Sequence, residues 1–460
     1  MDVVSQMKLF VEPHSIAIIG ATTKTGAFSF NITEQLINHG FNGEIYPVNP
    51  KAGHILGRKA YRSIGEVPAK VDLALIPVWE RFAVPGLVKE CVEAGIKAII
   101  VVTQGFADGD REGRELQDSI FRIAREGGAR VLGPNSLGVA NAFIGLNTAF
   151  MPCKMDRLPL GLICQSGIFF PGFHTLRTLG KGIDVANGCD VHVADALEYF
   201  ENDPDTSVIL LHIEGVKDGR RFVETARRVS RKKPIIALKT ARSEEGARVA
   251  QSHTGSLAGR EDLFRALARQ CGIVEAIDME EMEDLAKAFL RLPLMRGRRV
   301  GIVSMSGGAA VMLVDACARY GLEVGTLSPE TLARLQQLSP PWMKATNPMD
   351  FWPLNMHSKL GLVETTRSCL RQFAADANID ALVLTLGIAY GQESSQVAQT
   401  VSELTRTFAK PICWWSGSSS REEAILDLEK TGVVISPSCE RAIRTLRKLS
   451  DRWQFLAQCL

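Results

Sequence analysis

The chain has 460 residues, of which 46% are apolar and 23% charged, a balance near the globular average that excludes wholesale disorder. With 53 Lys plus Arg against 51 Asp plus Glu, the net charge is +2, so no basic excess points to nucleic acid or a membrane surface. At roughly 150 residues per domain, the length suggests about three domains.

The first block, 1–150, alternates continuously apolar runs with helical spacing. Strands are expected at Ser15–Gly20, Glu44–Val48, Val71–Val78, Ala98–Thr103 and Arg130–Leu132. Helices are expected at Asn31–His39, Pro85–Glu93 and Arg111–Arg125. Such alternation implies a doubly wound parallel sheet, whose strands are apolar on both faces. A second α/β block, 151–295, has strand patterns at Leu160–Cys164, Ser207–Ile213 and Pro234–Lys239. The third, 296–460, follows a basic linker, with strands at Val300–Met305, Ala381–Leu386 and Pro411–Trp415. The second and third blocks read as distant repeats. Leu162-Ile-Cys-Gln-Ser-Gly167 corresponds to Ile302-Val-Ser-Met-Ser-Gly307, and Lys233-Pro234 to Lys410-Pro411.

The ten cysteines form no C-x-x-C pair and no zinc spacing, which fits a reducing cytosol and gives no metal site. The N-terminus lacks a signal-peptide pattern, and no uncharged apolar run reaches the roughly 18 residues of a membrane span. The expected location is therefore cytoplasmic. P-loop, G-x-S-x-G, H-E-x-x-H and kinase signatures are all missing.

The first strand runs into Gly20-Ala-Thr-Thr-Lys-Thr-Gly26, a turn whose backbone N–H groups suit phosphate. It is not G-x-G-x-x-G, and the second strand ends in Asn49-Pro-Lys51 instead of the acidic residue that NAD requires. Lys51 suits a ribose carrying an extra phosphate; an ordinary surface lysine after a turn is the alternative. Ser166-Gly167 and Ser306-Gly307-Gly308 each end a strand and open a predicted helix, which fits anion binding, or ordinary N-capping by serine. His253 sits in a run of small residues, Gln251-Ser-His-Thr-Gly-Ser-Leu-Ala-Gly259, with a helix expected from Glu261. His212, by contrast, lies in a buried-strand pattern. Glu214 ends an apolar strand, where a carboxylate could fix an imidazole tautomer; a helix-capping role is the alternative.

These segments together resemble the α subunit of NDP-forming acyl-CoA synthetases, the ADP-forming acetyl-CoA synthetase group related to succinyl-CoA synthetase. The resemblance rests on Ser15-Ile-Ala-Ile-Ile-Gly-Ala21, Tyr46-Pro-Val-Asn-Pro-Lys51, Gly133-Pro-Asn135, Leu146-Asn147, Gln165-Ser-Gly167, Ile213-Glu-Gly215, Ser252-His-Thr-Gly-Ser-Leu-Ala-Gly259 and Asn347-Pro-Met-Asp350. It implies an α/β architecture with a Rossmann-like CoA-binding domain followed by two flavodoxin-like ligase domains. His253 would be the phosphorylated histidine and Glu214 its orienting carboxylate. Ser166, Gly167, Gly307 and Gly308 would hold the phosphate. Gly20, Thr22, Lys24, Asn49 and Lys51 would bind CoA, with Asn135 near the thioester.

Mg-ATP or Mg-ADP would bind an ATP-grasp β subunit, for which three domains leave no room here, so a hetero-oligomer is expected. Two segments depart from the family pattern: Ile168-Phe-Phe-Pro171 and Ala186-Asn187-Gly-Cys-Asp190. Both would lie near the acyl pocket, and they suggest an unusual acyl substrate shaped by Phe169 and Phe170. The rival readings are a non-catalytic CoA-binding or regulatory protein of the same fold and a NAD-dependent oxidoreductase. The latter is disfavoured by Lys51 and the incomplete fingerprint.

Overall fold

The computed structural model describes residues 1–26, 29–173, 176, 178–254, 261–388, 391–417 and 422–459, the side chains of 251–254 excepted. The chain divides into two compact units, Met1–Met282 and Glu283–Leu460.

Among the described residues, the first unit holds two large sheets and a two-stranded hairpin. Strands β1 (Ser15–Ile19) and β2 (Glu44–Val48) come first, followed by a short hairpin of β3 (His54–Ile55) and β4 (Arg58–Lys59). Strands β5 (Leu73–Ile76), β6 (Ala98–Val101) and β7 (Arg130–Leu132) complete a parallel sheet of order β2-β1-β5-β6-β7. Its central strands are buried on both faces, because helices cover each side of a parallel sheet.

The chain crosses to the second sheet between Leu132 and Val139, ahead of the boundary expected at 150. Strands β8 (Val139–Asn141) and β9 (Leu146–Asn147) form its antiparallel edge. Strands β10 (Leu160–Cys164), β11 (Lys181–Asp184), β12 (Val208–Ile213), β13 (Ile235–Lys239) and β14 (Val274–Ala276) follow, in the order β14-β13-β12-β10-β11-β8-β9. One apolar core links both sheets, from Ile16 and Leu75 to Ile163 and Leu211. The helix Val3–Val11, opened by Asp2 accepting from the Ser5 N–H, buries Met7, Phe10 and Val11 in it.

The second unit is built on β15 (Arg299–Ser304), β16 (Glu323–Val324), β17 (Met349–Asp350), β18 (Ala381–Thr385), β19 (Ile412–Trp415) and β20 (Val434–Ser436). Its order is β16-β15-β18-β19-β20, with β17 also paired to β15. The parallel strands of the second sheet, β10 to β14, have the same winding, 2-1-3-4-5 in their own sequence order. The shared order extends the repeat read from the sequence: β10 corresponds to β15, β12 to β18 and β13 to β19. In this winding, ligands bind outside the carboxyl ends of the strands, where strand order reverses.

Candidate active site

At the carboxyl edge of the first sheet, neighbouring loops are tied into one ledge. The Gly20 N–H donates to the Val48 carbonyl (2.9 Å), and Asn49 Nδ2 donates to the Ala21 carbonyl (2.7 Å). Asn49 Oδ1 accepts from the Lys51 N–H (2.8 Å), which fixes the turn carrying that exposed lysine. Gly20 adopts φ +95°, and a Cβ there would lie 2.8 Å from Val78 Cγ1, so the β1 and β5 exits touch. Thr103 Oγ1 donates to the Val78 carbonyl (2.6 Å), and the Thr103 carbonyl accepts from the Asn135 N–H (3.0 Å). Asn135 has φ +62°, a left-handed conformation that asparagine tolerates. The turn beyond Gly20 is set by Asn31, which donates to the Thr22 (3.1 Å) and Lys24 (2.8 Å) carbonyls and caps the helix Ile32–Asn38 through the Glu34 N–H. Gly20, Thr22, Lys24, Asn49, Lys51 and Asn135 therefore share one edge. Five strands at about 4.8 Å spacing make it roughly 19 Å long.

The second sheet brings Glu214 and Ser166-Gly167 together. Glu214 is the first residue after β12, and Gln165 the first after β10. Gln165 Oε1 accepts from the Glu214 N–H (2.6 Å) and the Gly215 N–H (3.2 Å), clamping the two strand exits. Lys239, the buried last residue of β13, donates to the Glu214 carbonyl (2.8 Å) and to the Thr240 carbonyl. Burial lowers its pKa, and the Glu214 charge opposes that shift. Gly167 is needed because a Cβ would lie 2.5 Å from Leu137 Cδ1. The sequence singled out Gln165 only as part of the Gln165-Ser-Gly167 motif, without its clamping role, and assigned Lys239 no role. The terminal lysine of the apolar run Ile235–Lys239 was the available signal for the second, and the clamp itself shows only in the tertiary contact.

Two readings change here. Ser166-Gly167 opens a three-residue 3₁₀ turn, Gly167–Phe169, in place of the expected α-helix, and its serine makes no capping bond. Pro171 follows, with no N–H to continue a helix. Phe169 and Phe170, expected to shape an acyl pocket, are 2% and 0% exposed, whereas Ile168, in the middle of the turn, is 65% exposed. Phe169 stacks on His212 with ring centroids 4.4 Å apart, and Phe170 packs toward Gly182. The Ala186–Asp190 segment lies against the exit of β7: Asp190 accepts from Arg130 Nε (2.8 Å) and the Val131 N–H (2.9 Å), and the Cys189 N–H donates to the Gly133 carbonyl (3.0 Å), beside the Asn135 turn. The buried-strand reading of His212 agrees with its place in the core. Its Nε2 lies 3.0 Å from Thr240 Oγ1, and burial with the Lys239 charge pushes its pKa down to about 3, leaving it neutral.

His253 lies in the last turn of the helix Glu244–Thr254; its side chain and residues 255–260 lie outside the described residues. The next helix starts at Glu261, as expected. In the second unit, Gly307 and Gly308 open the helix Gly307–Arg319, and Ser306 accepts from the Ala309 N–H (3.4 Å). Unlike Gly167, Gly307 starts a helix of 13 residues, whose dipole favours an anion at its start. Among the described residues, no group of three His, Cys, Asp or Glu is placed to hold a metal. No helix there is long and apolar enough to cross a membrane.

Comparison with known proteins decides the family. Residues 14–142 match the CoA binding domain model and 158–289 the succinyl-CoA ligase like flavodoxin domain model. Over 455 residues the chain is 35% identical to the α subunit of acetate–CoA ligase (ADP-forming) I from Pyrococcus furiosus, covering 96% of this chain and 97% of that one. The chain belongs to the NDP-forming acyl-CoA synthetase family. It is also 36% identical to acetate–CoA ligase (ADP-forming) from Methanocaldococcus jannaschii, covering 75% of this chain but only 49% of that longer relative. A solved acetyl-coenzyme A synthetase 1 from Candidatus Korarchaeum cryptofilum, in complex with phosphate and ADP, superposes with a TM-score of 0.85 at 30% identity, covering 98% of each chain. The Rossmann-like and flavodoxin-like architecture thus agrees with the family's domains, and the chain is of the α-subunit type.

Proposed function

We propose that the chain is the catalytic α subunit of an NDP-forming acyl-CoA ligase, interconverting acyl-CoA, phosphate and a nucleoside diphosphate with a carboxylic acid, CoA and the triphosphate. The observation that carries this reading is the match to a named α subunit along nearly the whole of both chains. The Glu214 loop, clamped beside Ser166-Gly167, supports it.

In the first step, phosphate attacks the thioester carbonyl; the C–S bond breaks, leaving an acyl phosphate and CoA. His253 next attacks phosphorus, and the carboxylate leaves. Finally the phosphohistidine passes its phosphoryl group to the diphosphate. Glu214 orients His253 and offsets the positive charge of its ring. Ser166, Gly167, Gly307 and Gly308 hold phosphoryl oxygens through backbone N–H groups, as phosphoryl transfer demands. Residues 1–150 bind CoA along the ledge, with Lys51 at the 3′-phosphate and Asn135 toward the thioester. Residues 151–295 and 296–460 form the two ligase domains. An ATP-grasp β subunit supplies the nucleotide site. The enzyme works in the cytoplasm, a reading supported by its unpaired cysteines.

Mixing the chain with an ATP-grasp partner, ATP, CoA and a panel of carboxylates tests this reading. Thioester and ADP are expected in equal amounts, and only when both subunits are present. A mixture that binds CoA yet makes no thioester with any acid would favour the regulatory reading.

A further inference from the structure

The ledge of the first sheet carries an aromatic cluster that no step above uses. Trp79, just beyond β5, is 88% exposed, and Phe30 is 45% exposed. Their ring centroids lie 6.1 Å apart, edge to face, and Phe30 meets Phe150 at 5.0 Å in the same manner. Phe30 holds φ +51°, a left-handed backbone that a bulky residue rarely adopts. Single exposed apolar side chains are ordinary. Three interlocked rings, one on a strained backbone, form a built surface.

The place of this surface along the ledge says what it would meet. Lys51 lies beyond β2 at one end, and Asn135 beyond β7 at the other. Trp79 follows β5, between β1 and β6, and its neighbour Val78 touches Gly20 on one side and accepts from Thr103 on the other. A ligand with a phosphorylated end at Lys51 and a reactive end at Asn135 must cross Trp79 with its middle. In CoA that middle is the pantetheine arm, which is uncharged and carries a geminal dimethyl group suited to ring faces.

We propose that Trp79 and Phe30 form the wall that positions the pantetheine arm of CoA; the proposal rests on the CoA-binding reading of this domain. The ring edges restrict the arm and aim the thiol end at Asn135.

Calorimetric titration of the full chain tests it with three ligands: CoA, dephospho-CoA and adenosine 3′,5′-bisphosphate. Trp79→Ala is expected to weaken CoA and dephospho-CoA about tenfold, to leave the bisphosphate unchanged, and to regain most of the loss in Trp79→Phe. Because Trp79 is so exposed, circular dichroism is expected to match wild type. Equal weakening of CoA and the bisphosphate would overturn the proposal, since the ring would then meet the adenine. Unchanged CoA affinity would overturn it as well. Wild-type chain that binds neither CoA nor the bisphosphate would instead overturn the ligase reading, and this inference with it.

Discussion

Gln165 shows how one neutral side chain can hold the Glu214 loop in place. Its Oε1 receives two backbone N–H groups, so Gln165→Ala leaves both to find other acceptors. The expected loss is about 2 kcal/mol of stability, read from urea unfolding, together with slower thioester formation. His212 gives a pH prediction. Its folded pKa of about 3 lies below the ordinary 6.5, so the unfolded chain binds the extra proton as pH falls through that window. Its contribution to stability is full above pH 6.5 and is lost toward pH 3. Asp184 acts in the opposite sense. Burial raises its pKa to about 7, so its share declines as pH rises from 3.8 to 7. His212→Gln is therefore expected to flatten the acid side of the urea midpoint profile relative to wild type. An unchanged slope would contradict the neutral, buried imidazole. Neither the Gln165 clamp nor the His212–Phe169 stack was legible in the sequence, because both depend on which strands become neighbours.

At the level of elements, the long apolar runs were legible to within about two residues. Glu44–Val48, Arg130–Leu132 and Leu160–Cys164 form as expected; the last two are buried along their whole length, which leaves little ambiguity, and the edge strand Glu44–Val48 is marked by its β-branched and aromatic residues. Strand β11 was missed because Lys181-Gly-Ile-Asp184 reads as polar. Its lysine is nevertheless buried, held by Asp203 at 2.7 Å and by Asp205 at 3.0 Å. The short edge strands β8 and β9 carried no periodic signal, and they belong to the second sheet although their residues precede 150. The Ser166 turn misled because strand-Ser-Gly matches its counterpart at Ser306, where a true helix follows. At the first strand exit, Gly20→Ala would force a side chain into a left-handed backbone against Val78. Thermal unfolding is expected to show a loss of about 1–2 kcal/mol, and calorimetry a weaker CoA affinity.

At the scale of the whole molecule, two units carry three doubly wound sheets. Each sheet has a carboxyl edge of the kind at which this winding places ligands; the proposed reading gives one edge to CoA and the others to phosphoryl groups. The central claim of the proposed reading is that His253 carries the phosphoryl group between the acyl phosphate and the nucleotide. The direct measurement is incubation of the chain with an ATP-grasp partner and ATP labelled at the γ-phosphate, followed by an assay for acid-labile, base-stable phosphate. Wild type is expected to take up label and to lose it on addition of CoA and the carboxylic acid, whereas His253→Ala takes up none. Label in His253→Ala equal to that in wild type would contradict the account.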